Sequence, residues 1–187
     1  MTRVRWWGTG IVALVLLLVG GGVPALDRAL GGEHLPLAPG TALAAGAARD
    51  GMRPVTLRVP AAGWTLNVAR SSLGSGIELV RGEVVFDLSV VVPLRSADAR
   101  SLWRGLERIE SMHGQARLPA EPSEIRTATG MTGLTGRFAA PDRVGIACVL
   151  ATRWLGAAVT ASGPPAAYRR LASEVEAMVR TIRIAEP

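Results

Sequence analysis

The sequence predicts an α+β fold: an antiparallel sheet flanked by helices and preceded by one N-terminal transmembrane or signal helix. Three observations predict it. A charge-free apolar run lies near the start, period-two alternation recurs through residues 52–162, and two stretches carry apolar residues at helical spacing. Strands joined by hairpin-length turns demand antiparallel pairing, and the two helices must cover the apolar face or faces of the sheet.

Arg3 and Arg5 precede 21 residues without a charge, positions 6–26. As a helix this run covers about 31 Å, the thickness of a hydrocarbon core. Asp27 and Arg28 cancel on the far side, so the positive-inside rule predicts a single-pass cell-membrane protein with residues 27–187 outside. Trp6 and Trp7 sit where an interfacial belt would hold the helix end. The alternative is a cleaved signal peptide, because the strongly apolar part spans only 11–19 and Val23-Pro24-Ala25 offers small residues to a peptidase. Cleavage after Ala25 would give a secreted protein. Both readings export the same domain. No cysteine follows the run, which excludes a lipid-modified terminus. Residues 27–51 are rich in Gly, Pro and Ala and read as a flexible tether, with 41–45 as a weak extra strand and His34 as a solvated side chain.

The domain proper is expected over 52–187. Val55, Leu57 and Val59 alternate with polar residues in a first strand ended by Pro60; Trp64, Leu66 and Val68 form a second. A third strand occupies 77–80, and Arg81-Gly82 turns into the longest, 83–92. There Val84, Phe86, Leu88, Val90 and Val92 share one face, while Val85, Asp87, Ser89 and Val91 share the other. A helix follows from a Ser96 cap to about Met112, with Asp98 in its first turn and Ala99, Leu102, Trp103, Leu106 and Ile109 on its apolar stripe. His113-Gly114 closes it. Further strands are predicted at 124–129, 134–140, 144–152 and 155–162. Gly163-Pro164-Pro165 then starts a helix whose apolar stripe is Tyr168, Leu171, Ala172, Val175, Met178, Val179 and Ile182. Arg169, Arg170, Glu174, Glu176 and Arg180 form its exposed face, with Glu176 and Arg180 as an i, i+4 pair.

Composition excludes several functions. All 21 basic residues are Arg, and with abundant Ala, Gly and Val this reflects GC-rich coding rather than a nucleic-acid footprint. Residues 51–187 mix 17 Arg with 12 acids and form no basic stripe, so nucleic-acid binding is not expected. Cys148, the only cysteine, rules out an intramolecular disulfide and is expected buried with Ile146 and Leu150. No metalloprotease, phosphate-loop or serine-elbow motif occurs, and the two histidines are poorly placed for a base near neutral pH. Glu83 and Asp87 share a strand face about 13 Å apart, too far for glycoside hydrolysis; Asp87 is expected to meet an Arg from a neighbouring strand. Gly130, Gly133 and Gly136 mark a turn leading into a strand. No catalytic activity, cofactor or metal is expected.

Pro60-Ala61-Ala62-Gly63-Trp64 opening a strand resembles the start of PsbP/LpqN-like domains. The later order is similar too: long hairpin, helix, three or four strands, Gly-Pro-Pro, and a closing helix with Val179-Arg180-Thr181-Ile182. The resemblance covers residues 52–184. It implies an antiparallel sheet flanked by helices. It also implies a binding or assembly role like that of extrinsic photosystem subunits, a Ran-binding import factor and exported actinobacterial lipoproteins. It carries over no binding residue.

The sequence therefore describes a membrane-tethered extracytoplasmic binding or assembly module with an envelope protein as partner. The alternative is a carrier of a small apolar ligand, held between sheet and helix in a cavity lined by residues such as Phe86, Trp103 and Phe138. Arg153 and Trp154 are the candidate partner contact, because they fall at a hairpin tip where no alternation requires a large aromatic. The alternative there is a Trp154 folded back onto the sheet end as a core plug.

Overall fold

Period-two alternation builds an eight-stranded sheet in the computed structural model, which describes residues 34–48, 51–92, 98–112 and 117–185. Its spatial order is β1 (His34–Pro36), β4 (Thr65–Asn67), β5 (Gly76–Arg81), β6 (Val84–Val91), β10 (Gly156–Gly163), β9 (Val144–Ala151), β8 (Thr132–Ala139) and β7 (Ser123–Arg126). A second sheet runs β11 (Arg183–Ile184), β3 (Val55–Arg58), β2 (Ala42–Ala45). Two helices complete the set, α1 (Ala99–Met112) and α2 (Pro165–Arg180). The predicted anchor at 6–26, the Ser96 cap and His113-Gly114 lie outside the described residues. Among the described residues no helix is long and apolar enough to cross a membrane.

Side-chain parity sorts the large sheet into two cores. On one face Ile77, Leu79, Val84, Phe86, Leu88, Cys148, Leu150 and Val159 pack under Val175, Met178 and Val179 in the carboxyl half of α2 and Ile182 just past its end, with Val55 and Leu57 of the small sheet. Each large side chain buried this way stabilises the fold by about 1.5–3 kcal/mol. On the other face Trp103 of α1 packs on Ala147 and Val149, with Leu102, Leu106, Leu134 and Phe138 around it. Glycine makes that contact possible. A Cβ at Gly136 would lie 2.9 Å from the Trp103 ring, and one at Gly156 would lie 2.4 Å from Leu102 Cδ1. Thus Gly136 sits inside β8 as a seat for the helix, and of the three spaced glycines only Gly130, at φ +83°, serves the turn.

Several elements differ from the sequence-based expectation. Residues 34–48, read as tether, supply β1 and β2, and β2 pairs with β3 from Ala42↔Arg58 to Ala45↔Val55. The weak strand at 41–45 forms because β3 offers it an open edge. α1 is capped by Asp98, whose carboxylate accepts from Ser101 N–H at 2.8 Å, so Asp98 precedes the helix instead of lying in its first turn. Val92 lies past the end of β6 and is 69% exposed rather than on the apolar face. Ile109, on the predicted stripe of α1, is 50% exposed.

Glu174 also departs from its predicted exposed position. It pairs with Arg81 of β5 and accepts from Trp64 Nε1 at 3.1 Å, so the ion pair formed ties helix to sheet in place of the expected Glu176–Arg180 pair. Trp64 is fully buried edge-on to Phe86, with ring centroids 6.5 Å apart, and its indole N–H finds its acceptor in that carboxylate.

Val175 lies at the centre of the α2 contact and is fully buried. Val175→Asp places an unpaired charge there and is expected to cost about 4 kcal/mol or more. Urea unfolding checks this; a midpoint equal to that of the parent would mean α2 is not seated as described.

Candidate functional site

The β9–β10 hairpin projects its tip from the end of the sheet. Thr152 closes the turn: its N–H donates to Leu155 C=O at 2.8 Å, while its hydroxyl oxygen accepts from Leu155 N–H at 3.2 Å. Arg153 and Trp154 are the two central residues and both are exposed, Trp154 by 59%. Leu155 turns back onto the core instead. Trp154 is therefore not the core plug of the alternative reading. The four-residue turn shifts the inward position by one, a detail alternation does not encode. Below the tip, β9 is buried on both faces from Gly145 to Leu150, so Trp154 stands on a firm support.

The residues named for an apolar cavity are not brought together. Phe86 faces α2 in one core, whereas Trp103 and Phe138 lie in the other. Trp103 Nε1 donates to Pro119 C=O at 3.1 Å, which fixes the indole against the sheet. Two open clefts of about 420 Å³ each lie along β8. One is lined by Glu121, Arg137 and Glu176 and the other by Asp98, Arg100 and Glu124, so both mix charges of either sign. Among the described residues no cluster of His, Cys, Asp or Glu is arranged to hold a metal.

Groups with chemical potential are few. Cys148 is fully buried, and burial pushes its thiol up to about 12, so it stays protonated near neutral pH. Asp87 does not meet an arginine. Its cross-strand neighbours are Glu78 on β5 and Thr160 on β10, and Ser89 Oγ donates to it at 3.0 Å. Burial is the main cause of its raised pKa, opposed by the Ser89 hydrogen bond and reinforced by the Glu78 charge. Glu78 in turn accepts from Asn67 Nδ2 at 2.6 Å. This acidic pair lies on the part of the outer face where Glu78 and Asp87 are only half-buried. Sequence reasoning missed it because the β5–β6 register pairs residues nine apart. Glu83, expected on the same strand face as Asp87, is instead exposed in the turn after β5.

Large apolar side chains are exposed at Met52 (74%) and Leu73, which the sequence analysis did not single out, and at Val68 and Val92, which it expected on the apolar faces of strands but which lie just past the ends of β4 and β6. Met52 and Leu73 each sit beside glycine outside any periodic segment, which is the sequence signal that marks them.

Two stability measurements check this geometry. Trp154→Ala is expected to leave the unfolding free energy within about 0.5 kcal/mol of the parent, as for other exposed positions. Asp87→Asn is expected to stabilise at neutral pH by up to about 1 kcal/mol, since like charges opposite each other are unfavourable. A carboxylate with a raised folded pKa weakens the fold above that pKa and not below its unfolded value, here 3.8. The advantage of Asn should therefore shrink as pH falls through the folded pKa towards 3.8, and an advantage that grew on acidification would contradict the assignment.

No family model and no curated protein sequence matches the chain. Solved structures do. The cyanobacterial PsbP (CyanoP) from Synechocystis sp. PCC 6803 superposes with a TM-score of 0.53 at 13% identity, covering 79% of this chain and 94% of that one. The Saccharomyces cerevisiae Ran-binding protein Mog1p superposes with a TM-score of 0.52 at 13% identity, covering 82% and 97% respectively. The sheet with its two packed helices is thus a Mog1/PsbP-like fold.

Proposed function

We propose that the chain is a membrane-tethered, extracytoplasmic binding or assembly module of the LpqN-like kind found in exported actinobacterial proteins, without catalytic activity. One observation carries the reading: Trp154 and Arg153 stand exposed at the tip of a hairpin whose strands are firmly buried. Such a tip loses little entropy on contact and offers a large amphipathic ring beside a cation, the composition of an interface anchor. The apolar run at 6–26 supports tethering, and the fold is shared with a protein described as Ran-binding. A carrier function has less support, because Phe86 and Trp103 are packed on opposite faces and the clefts are open and charged.

The topology is tested by fusions after Pro187: a reporter active only outside the cytoplasm should work there, and one active only inside should be silent. The reverse pattern sinks the export reading. The mass of the mature N-terminus separates anchor from signal, a start at Leu26 meaning cleavage. For the contact itself, a photocrosslinking amino acid at position 154 should form adducts with an envelope component in intact cells, well above those from position 83. Equal adducts at both positions would remove the tip as a contact.

A further inference from the structure

The strand registers gather most of the exposed apolar side chains at one end of the large sheet. Gly76 at the start of β5 pairs with Ser89, and Gly156 at the start of β10 pairs with Val91 and with Ala151. The start of β5, the end of β6 and the β9–β10 tip therefore lie together, spread over three strand spacings, or about 14 Å. Val92 and Trp154 follow directly. Leu73 belongs to the same end through the loop before β5, where Val90 N–H donates to Ser75 C=O at 2.7 Å. Met52 joins it because the guanidinium of its neighbour Arg53 donates to Leu73 C=O and Gly46 C=O, both at 2.7 Å. Val68 opens the short turn that leads from β4 into that loop.

Charge is distributed unevenly along the same axis. The described residues of these loops, 46–48, 51–54, 68–75, 127–131 and 152–155, include Arg53, Arg70 and Arg153, and the exposed Asp98 and Arg100 at the start of α1 lie at the same end beside Thr132 and Gly133. The turns at the opposite end, Gly82-Glu83 and Pro141-Asp142, each present a carboxylate and no large apolar side chain. The chain joins the sheet through β1 beside β4, where Leu37 N–H donates to Trp64 C=O at 2.9 Å.

We propose that this end is a bilayer-docking surface, in which Trp154, Val92, Leu73 and Met52 enter the headgroup region of an anionic membrane and Arg153 meets lipid phosphate. The proposal rests on the tethered reading above and names the occupant of its contact. Two features select lipid over a protein. Seven residues, 27–33, separate the apolar run from the first strand, a reach of at most about 25 Å. Trp and aliphatic side chains beside Arg53, Arg70 and Arg153 are the composition that partitions into an anionic interface.

The full chain is reconstituted into vesicles of phosphatidylcholine with phosphatidylglycerol, carrying Ser72→Cys or Glu83→Cys labelled with nitrobenzoxadiazole. Cys148 is buried and does not compete for the label. The label at 72 should emit about twofold more than that at 83, as expected on entering the interface. The gain should fall in pure phosphatidylcholine, at high salt, and with Trp154→Ala. Equal emission at the two positions, from chain that floats with its vesicles, overturns docking and leaves the tether intact. Chain that does not float overturns the tethered reading and docking with it. A gain that appears only with added envelope extract assigns the end to a protein partner, and one that follows protein density at fixed lipid assigns it to a second copy; either result overturns the proposal.

Discussion

The two-sided burial of the β9–β10 hairpin is the constraint from which the other placements follow. β9 reads Gly145-Ile146-Ala147-Cys148-Val149-Leu150, apolar on both parities, so it cannot lie at an edge or face water on either side. Ile146, Cys148 and Leu150 require a cover, which α2 and the small sheet provide. Ala147 and Val149 require another, which α1 provides. β6 and β8 must then flank the pair, and β6 brings β5 and β4 with it. The long excursion from β6 through α1, β7, β8 and β9 ends where β10 returns to pair with β6, closing the sheet around its most apolar strands.

What alternation encodes was legible in the sequence. The strands of the large sheet other than β1, both helices and the burial of Cys148 follow from local periodicity, because each has an apolar face long enough to define its period. The second sheet was legible only in part: β3 and the weak strand at 41–45 were expected, but their assembly with β11 into a separate sheet was not. β11 has two residues and β2 is alanine-rich, and their pairing depends on contacts such as Arg58 N–H to Thr181 Oγ1 at 2.9 Å, across 123 positions. The Asp98 cap was missed for a different reason. Ser96 and Asp98 are both good cap residues, and only the geometry of the first turn selects between them. At the candidate site the sequence located Arg153 and Trp154 at a tip but left the ring's direction open, since Trp154 and Leu155 compete for one inward position. Register across strands decides the rest. Glu78 opposite Asp87 is invisible until β5 and β6 are aligned.

The polar groups show where the fold tolerates water and where it does not. Glu174 reaches a partly enclosed position and meets two donors, Arg81 and Trp64 Nε1, so the carboxylate offsets its desolvation by joining helix and sheet. Glu78 and Asp87 have no cation between them, yet each has a neutral donor, Asn67 and Ser89. That arrangement persists because α1 packs mainly over β8, β9 and β10, leaving solvent to screen the half-buried pair on the β5–β6 part of the face.

The architecture separates two surfaces that a binding module can use independently. The end of the sheet is built from short loops pinned by backbone hydrogen bonds, such as Gly46 N–H to Leu73 C=O at 2.8 Å, so its exposed side chains are held by strands rather than by each other. The outer face over β5 and β6 mixes Glu78, Asp87 and Ser89 with half-buried Val80, Val85 and Val91. An end-on contact with a bilayer would set the strands upright on the membrane, which leaves that face turned sideways towards other envelope components. In the docked arrangement proposed here, the tip residues orient the domain and the wet face remains available for recognition. Orientation of this kind raises the effective concentration of a second contact without adding any affinity of its own, because the search is reduced from a volume to a layer as deep as the tether is long.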